Sequence, residues 1–199
     1  MTVSDRAGAA GWCALCALLA ACAMLGWSRD RAALDWQPAL AASQPWRAWS
    51  AVAVHYSALH LAANLAGALL VGALGWTARV TPMAVLAWAI AWPFTHAALA
   101  VEPALVHYGG LSGVLHAGVA VVALHLAVVG RGSARVIGGA LLAGLAVKLL
   151  SEAPWAGPLR HPPGWDIAVA PLAHATGVAA GLIAELAVLG LGRRARTAA

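Results

Sequence analysis

The chain is predicted to be an all-α membrane protein, a single domain over residues 1–199 with six transmembrane helices and both termini cytoplasmic. Three observations predict it. Of the 199 residues 62% are apolar and only 10% are charged; mean hydropathy is +0.81; and the apolar residues gather into six runs parted by prolines and charged loops. Water would not be the main solvent of a domain of that composition. A spanning helix needs about 20 residues, so the length accommodates roughly six spans with short connections. The net charge of +5 is scattered one or two residues per loop. Nucleic-acid binding would want a basic stripe, so membrane orientation is the better reading and no nucleic-acid partner is expected.

The first run covers about residues 9–27 and holds Cys13, Cys16 and Cys22. A Cys-x-x-Cys pair would need two further ligands to hold a metal, and none is nearby, so the cysteines are read as small packing residues and no metal or cofactor is implied. "LAAC" at Leu19–Cys22 imitates a lipoprotein signal, but the run continues through Met24, Leu25 and Trp27, which favours a retained helix. A loop with Pro38 and Pro45 leads to the second run, about 49–76; Pro82 opens the third, 82–101; the fourth and fifth are 111–130 and 136–150. Pro154, Pro158, Pro162 and Pro163 precede the sixth, 167–190. One set of span ends carries Arg6, Arg79, Arg131, Arg135, Arg193, Arg194 and Arg196, the other Arg29, Arg31, Arg47 and Arg160. Seven against four puts both termini in the cytoplasm under the positive-inside rule, and Trp27, Trp36, Trp46, Trp49, Trp155 and Trp165 gather at the outer ends, where indole prefers the interface.

This layout sets the stretch "HYGGLSGVLHAG", His107–Gly118, where the fourth span enters from the outer side, with Ser112 between glycines. A serine hydroxyl becomes nucleophilic only beside a base. His174, in "PLAHATGVAAG", lies at similar depth in the sixth span, and Gly177 and Gly181 share its helix face at i+3 and i+7. Gly109, Gly110 and Gly113 flank Ser112, and small residues let two helices approach closely in lipid. In the second span His60 and Asn64 are four apart, on one face, near the same depth. With the Ser112 N–H they form a candidate oxyanion hole.

Each part also has a plainer reading: Ser112 as a packing residue, His60 with Asn64 as polar glue between helices, His174 as lining for a transport path. The combination at one depth favours catalysis. A zinc protease would need His-Glu-x-x-His, yet no two histidines are four apart, and all four aspartates fall outside the spans, which removes the aspartyl route.

From Trp46 to Glu185 these motifs resemble the rhomboid family of intramembrane serine proteases. "WR" at Trp46 and Arg47 is similar to the family's first-loop motif, "HYSALHLAANL" at His55–Leu65 to its second-span pattern, "GGLSG" to the nucleophile motif and "AHATGVAAG" to the sixth-span histidine with two glycines. The resemblance implies a Ser112–His174 dyad, His60 and Asn64 as oxyanion donors, and a structural His55. Where many rhomboids place a tyrosine four residues after the serine, this chain has His116, which either orients His174 or, the preferred reading, replaces the tyrosine's packing. "GLSGVLHAG" and, less closely, "KLLSE" at Lys148–Glu152 resemble the rhombosortase branch. That branch implies as partner a membrane-anchored protein substrate with a C-terminal Gly-Gly, apolar, basic tail.

Two charges remain. Lys148 is expected to snorkel to the outer interface. Glu185 follows His174 by eleven residues on the same face, roughly 16 Å deeper at 1.5 Å per residue, too far to join it. The imidazole is therefore expected to be oriented by packing alone, giving a slow enzyme, and His96, His107, His125 and His161 receive no role. The competing readings are a non-catalytic rhomboid-like binding protein and a small transporter using His60, His116 and His174.

Overall fold

A computed structural model of the protein describes the backbone of residues 3–197 and the side chains of 6–192. The side chains of Arg193, Arg194 and Arg196, used above to orient the chain, lie outside the described ones. Among the described residues every regular element is a helix, and the loops between them hold two isolated β-bridges. Six helices are long and apolar enough to cross a membrane, and we number them α1 (Val3–Gly26), α2 (Ala58–Ala78), α3 (Pro82–Ala97), α4 (Ser112–Val129), α5 (Ser133–Glu152) and α6 (Pro171–Thr197).

The second helix begins at Ala58, not near residue 49. Residues 47–53 instead form short helical turns, and Ser57 caps α2 by accepting the His60 N–H, which satisfies one of the helix's orphan donors and sets its start. At the other end α5 runs on to Glu152, two residues past the expected limit, and stops where Ala153 takes a left-handed conformation (φ 46°). A residue with a Cβ seldom sits there without a compensating constraint.

Helix α4 is the centre of the bundle. It packs on α6, α5, α3 and α2, and its apolar residues face in every direction, as they must in a helix that neighbours surround. Close packing against α6 follows from glycine: a Cβ on Gly177 would collide with the Gly113 carbonyl oxygen, and one on Gly181 with that of Ala117. Because the small residues of the two helices match in the same order, α4 and α6 run parallel from a common end. Trp88 of α3 joins this core by donating its indole N–H to the Val114 carbonyl (2.8 Å), and it stacks on Trp12 of α1 with centroids 4.3 Å apart. Trp12 in turn donates to the Val71 carbonyl of α2 (2.8 Å). Helix α1 is thus an integral wall of the core. Leu69, Leu70, Val136, Ile137 and Val147 are exposed and present apolar surface to lipid, where backbone polar groups are already satisfied within each helix.

The loop after α1 folds over the end of the bundle that carries Ser112. Trp36 is not an interfacial anchor as the sequence had suggested. It is buried against Ala48, Ala51, Leu99 and Tyr108 and exchanges two backbone hydrogen bonds with Tyr108 (2.7 and 2.8 Å). Arg47 is buried too, donating to the carbonyls of Ala32 (2.9 Å) and Asp35 (2.8 Å) and pairing with the Asp35 carboxylate (3.2 Å). The other Asp35 oxygen accepts from His107 (2.7 Å). This knot holds the start of the segment leading into Ser112.

Candidate active site

Ser112 is the first residue of α4, preceded by a turn that only glycine accommodates. Gly110 has φ +141°, and a Cβ there would stand 3.0 Å from His60 Nε2. Its N–H donates to the Ala51 carbonyl (3.0 Å). No side chain caps this helix start, and the first N–H groups of a helix have no partner within it.

The structure brings Ser112 and His174 together: Oγ and Nε2 are 3.0 Å apart. The other imidazole nitrogen, Nδ1, lies 2.7 Å from Glu152 Oε2 at the end of α5. A carboxylate accepts only, so Nδ1 carries the hydrogen and Nε2 turns its lone pair to the serine hydroxyl. That arrangement corrects the expectation of an imidazole oriented by packing alone. Lys148 does not merely snorkel; one turn back on α5, it pairs with the same carboxylate.

His116, one turn into α4, donates through Nδ1 to the Ser112 carbonyl (2.8 Å) and stacks on His174 with centroids 4.2 Å apart and planes 17° from parallel. Gly113 and Gly177 meet at the α4–α6 contact, so the glycines expected to bring the two helices together do so, with Gly181 one turn further on.

His60 lies against the Gly110 turn. Its Nδ1 accepts from the Tyr56 N–H (3.4 Å), which leaves the hydrogen on Nε2, the nitrogen nearest Gly110. Asn64 is buried and its side-chain N–H₂ has no partner among the described residues. Buried donors are normally paired, so an unmatched amide on a cavity wall is poised for an acceptor from outside the chain. His55 packs on His60 (4.7 Å between centroids) and is buried; that burial, with His60 beside it, pushes its imidazole down to about 4. It stays neutral and lends shape. Burial likewise pushes the Tyr108 phenol up to about 12, partly offset by the neighbouring Ser112 hydroxyl and Gly113 backbone. Trp46 is exposed, and with Arg47 it stands outside the cavity wall; Arg47 acts on the Ser112 turn only through Asp35.

Ser112, His174, His60, Asn64, His116 and Glu152 all line one cavity of about 830 Å³. Part of its wall is the loop between α5 and α6, where Arg160 and Val169 exchange two 2.8 Å backbone bonds and Asp166 accepts from the Ser57 hydroxyl (2.7 Å). The same Ser57 oxygen caps α2 at His60, so that loop and the His60 position are coupled.

Sequence reasoning gave Glu152 no role, although it fell within the "KLLSE" stretch, because it ended the fifth span at Leu150. It also left His125 without a role, whereas His125 Nδ1 meets Glu185 Oε1 at 2.8 Å deep between α4 and α6. His96, likewise unassigned, is buried with Nδ1 2.7 Å from the Ala48 carbonyl. No protein-family model matches the chain, and neither a curated protein nor a solved structure does. The case for what the site does therefore rests on these residues and their chemistry.

Proposed function

We propose that the protein is an intramembrane serine endopeptidase of the rhomboid type, which cleaves the transmembrane or C-terminal sorting tail of exported proteins. The observation that carries this reading is the 3.0 Å contact between the Ser112 hydroxyl and the acceptor nitrogen of His174, at the wall of a cavity that also holds the unmatched Asn64 donor.

As the Oγ–carbon bond forms, Nε2 of His174 takes the serine proton and the carbonyl electrons move onto oxygen. The Asn64 amide, His60 Nε2–H and the uncapped Ser112 N–H are the donors for that oxyanion, each worth about 3 kcal/mol in soluble hydrolases. His174 then hands its proton to the leaving amine as the C–N bond breaks. Water repeats the sequence on the acyl-enzyme. The basic loop residues favour cytoplasmic termini in a bacterial inner membrane, with the cavity opening on the periplasmic side.

The test is co-expression of wild type or Ser112→Ala with a secreted protein bearing a Gly-Gly, apolar, basic tail, read by intact mass. Wild type should remove the tail and Ser112→Ala should leave it. An uncleaved tail alongside cleavage of generic transmembrane reporters discards the sorting-tail substrate and keeps the protease. No Ser112-dependent cleavage of either discards both and leaves a binding protein.

A further inference from the structure

We infer that Glu152 is a positioning residue that completes a serine–histidine–carboxylate relay, with Lys148 as the clamp that keeps its carboxylate in place. The inference rests on the protease reading of Ser112 and His174 and goes beyond the two-residue machinery that the sequence motifs imply.

Glu152 sits where the helix end itself disfavours a carboxylate. It is the last residue of α5, where the helix dipole repels an anion, and it is followed by a left-handed alanine. Its side chain is only 17% exposed. A carboxylate is kept in such a place when its partners are fixed and specific, and both of its oxygens are engaged: Oε2 by His174 Nδ1 (2.7 Å), Oε1 by Lys148. Helix α5 packs chiefly on α4, so this contact is the polar tie that brings the end of α5 to α6. Three consequences follow for the chemistry. The bond fixes the His174 tautomer, aims Nε2 at the serine, and offsets the charge of the imidazolium that forms when the serine proton is taken. Glu152 remains ionised throughout, and the Nδ1 hydrogen stays on the ring.

The ionisable groups around His174 come from three other helices: Glu152 and Lys148 on α5, His116 on α4, and His60 on α2, itself within reach of Asp166. Glu152 and Lys148 carry opposite charges, and that makes the proposal testable without a known substrate. An alkyl fluorophosphonate reports on the same relay: Ser112 Oγ displaces fluoride at phosphorus while His174 accepts the proton. Its second-order rate constant with the full-length protein in liposomes is to be measured against pH for wild type, Glu152→Gln, Glu152→Asp and Lys148→Met.

Glu152→Gln should slow labelling by about 10⁴-fold, the size of the equivalent loss in soluble serine hydrolases. Its acid limb should move to lower pH, because the imidazolium loses its counter-charge. Glu152→Asp should recover at least about tenfold of that loss, since a shorter carboxylate still accepts from Nδ1. Lys148→Met should cost less than about tenfold, its charge being half exposed, and should move the acid limb the opposite way. A structural role alone would lower rates without opposite displacements of the limb. Labelling of Glu152→Gln at the wild-type rate with an unmoved limb overturns the relay and leaves the Ser112–His174 protease standing. Failure of the wild type to label at all overturns both.

Discussion

The bundle holds two histidine–glutamate pairs of nearly equal geometry. At one end His174 Nδ1 and Glu152 are 2.7 Å apart; deeper in, His125 Nδ1 and Glu185 are 2.8 Å apart. The helices that carry Ser112 and His174 carry the second pair as well: His125 stands thirteen residues after Ser112 on α4, and Glu185 eleven after His174 on α6. What differs is the surroundings. The first pair faces the cavity, with a hydroxyl on the far imidazole nitrogen. The second is absent from the cavity wall, its carboxylate is 1% exposed, and Glu185 Oε2 has no partner among the described residues. A histidine–carboxylate couple does chemistry only where a nucleophile and room for a substrate meet it; buried alone, it fastens two helices together.

Variants that act on one pair and spare the other probe this contrast. The largest effect belongs to Ser112→Ala, which should remove proteolysis and fluorophosphonate labelling by roughly 10⁶-fold, as for nucleophile loss in soluble hydrolases, with an unchanged melting curve. Next, Asn64→Ala should lower kcat on a transmembrane reporter by about 10²- to 10³-fold with little change in KM, because its free N–H₂ serves the oxyanion and not the ground state. Gly177→Ala drives a methyl into the Gly113 carbonyl and parts the two helices; a displacement of this order costs about 10²-fold in rate. Gly139→Ala on α5, where an added methyl meets nothing within 4 Å, should stay within about twofold on the same reporter.

At the deeper pair the readout reverses. His125→Leu strands the Glu185 carboxylate and should destabilise the protein by about 3 kcal/mol in a denaturation series in detergent, whereas His125→Leu with Glu185→Leu should return to within about 1 kcal/mol of wild type. Activity per folded molecule should change less than about twofold in both. Loss of activity in the folded double variant would remove the distinction between the pairs. A modest effect is expected of His116→Phe, which keeps a ring stacked on His174 and should cost less than about tenfold in labelling rate.

Much of this site was legible in the sequence because membrane helices convert spacing into depth. Gly110 and Gly113 around Ser112, and Gly177 beyond His174, announce two backbones in close contact, and the i, i+4 spacing of His60 and Asn64 announces a shared face. Glu152 was hidden by a boundary. Apolar runs mark where hydrocarbon ends, not where a helix ends, so a carboxylate just past Leu150 read as loop. Its i, i+4 relation to Lys148 was the available clue that the helix continues. His125 and Glu185 were set aside singly, one without a role and the other as too deep for His174. Placing α4 and α6 parallel from a common end would have set them level with one another. Trp36 and Arg47 were illegible for another reason: the loop over the bundle end has its own small core, and nothing in a proline-marked connection of mixed polarity tells which indole is buried.

The most direct measurement is fluorophosphonate treatment of the protein in native membranes, followed by peptide mapping of the adduct in wild type and His174→Ala. The account predicts one adduct, on Ser112, that disappears when the imidazole is removed. An adduct that persists undiminished in His174→Ala, or a wild-type Ser112 that never reacts, would contradict it.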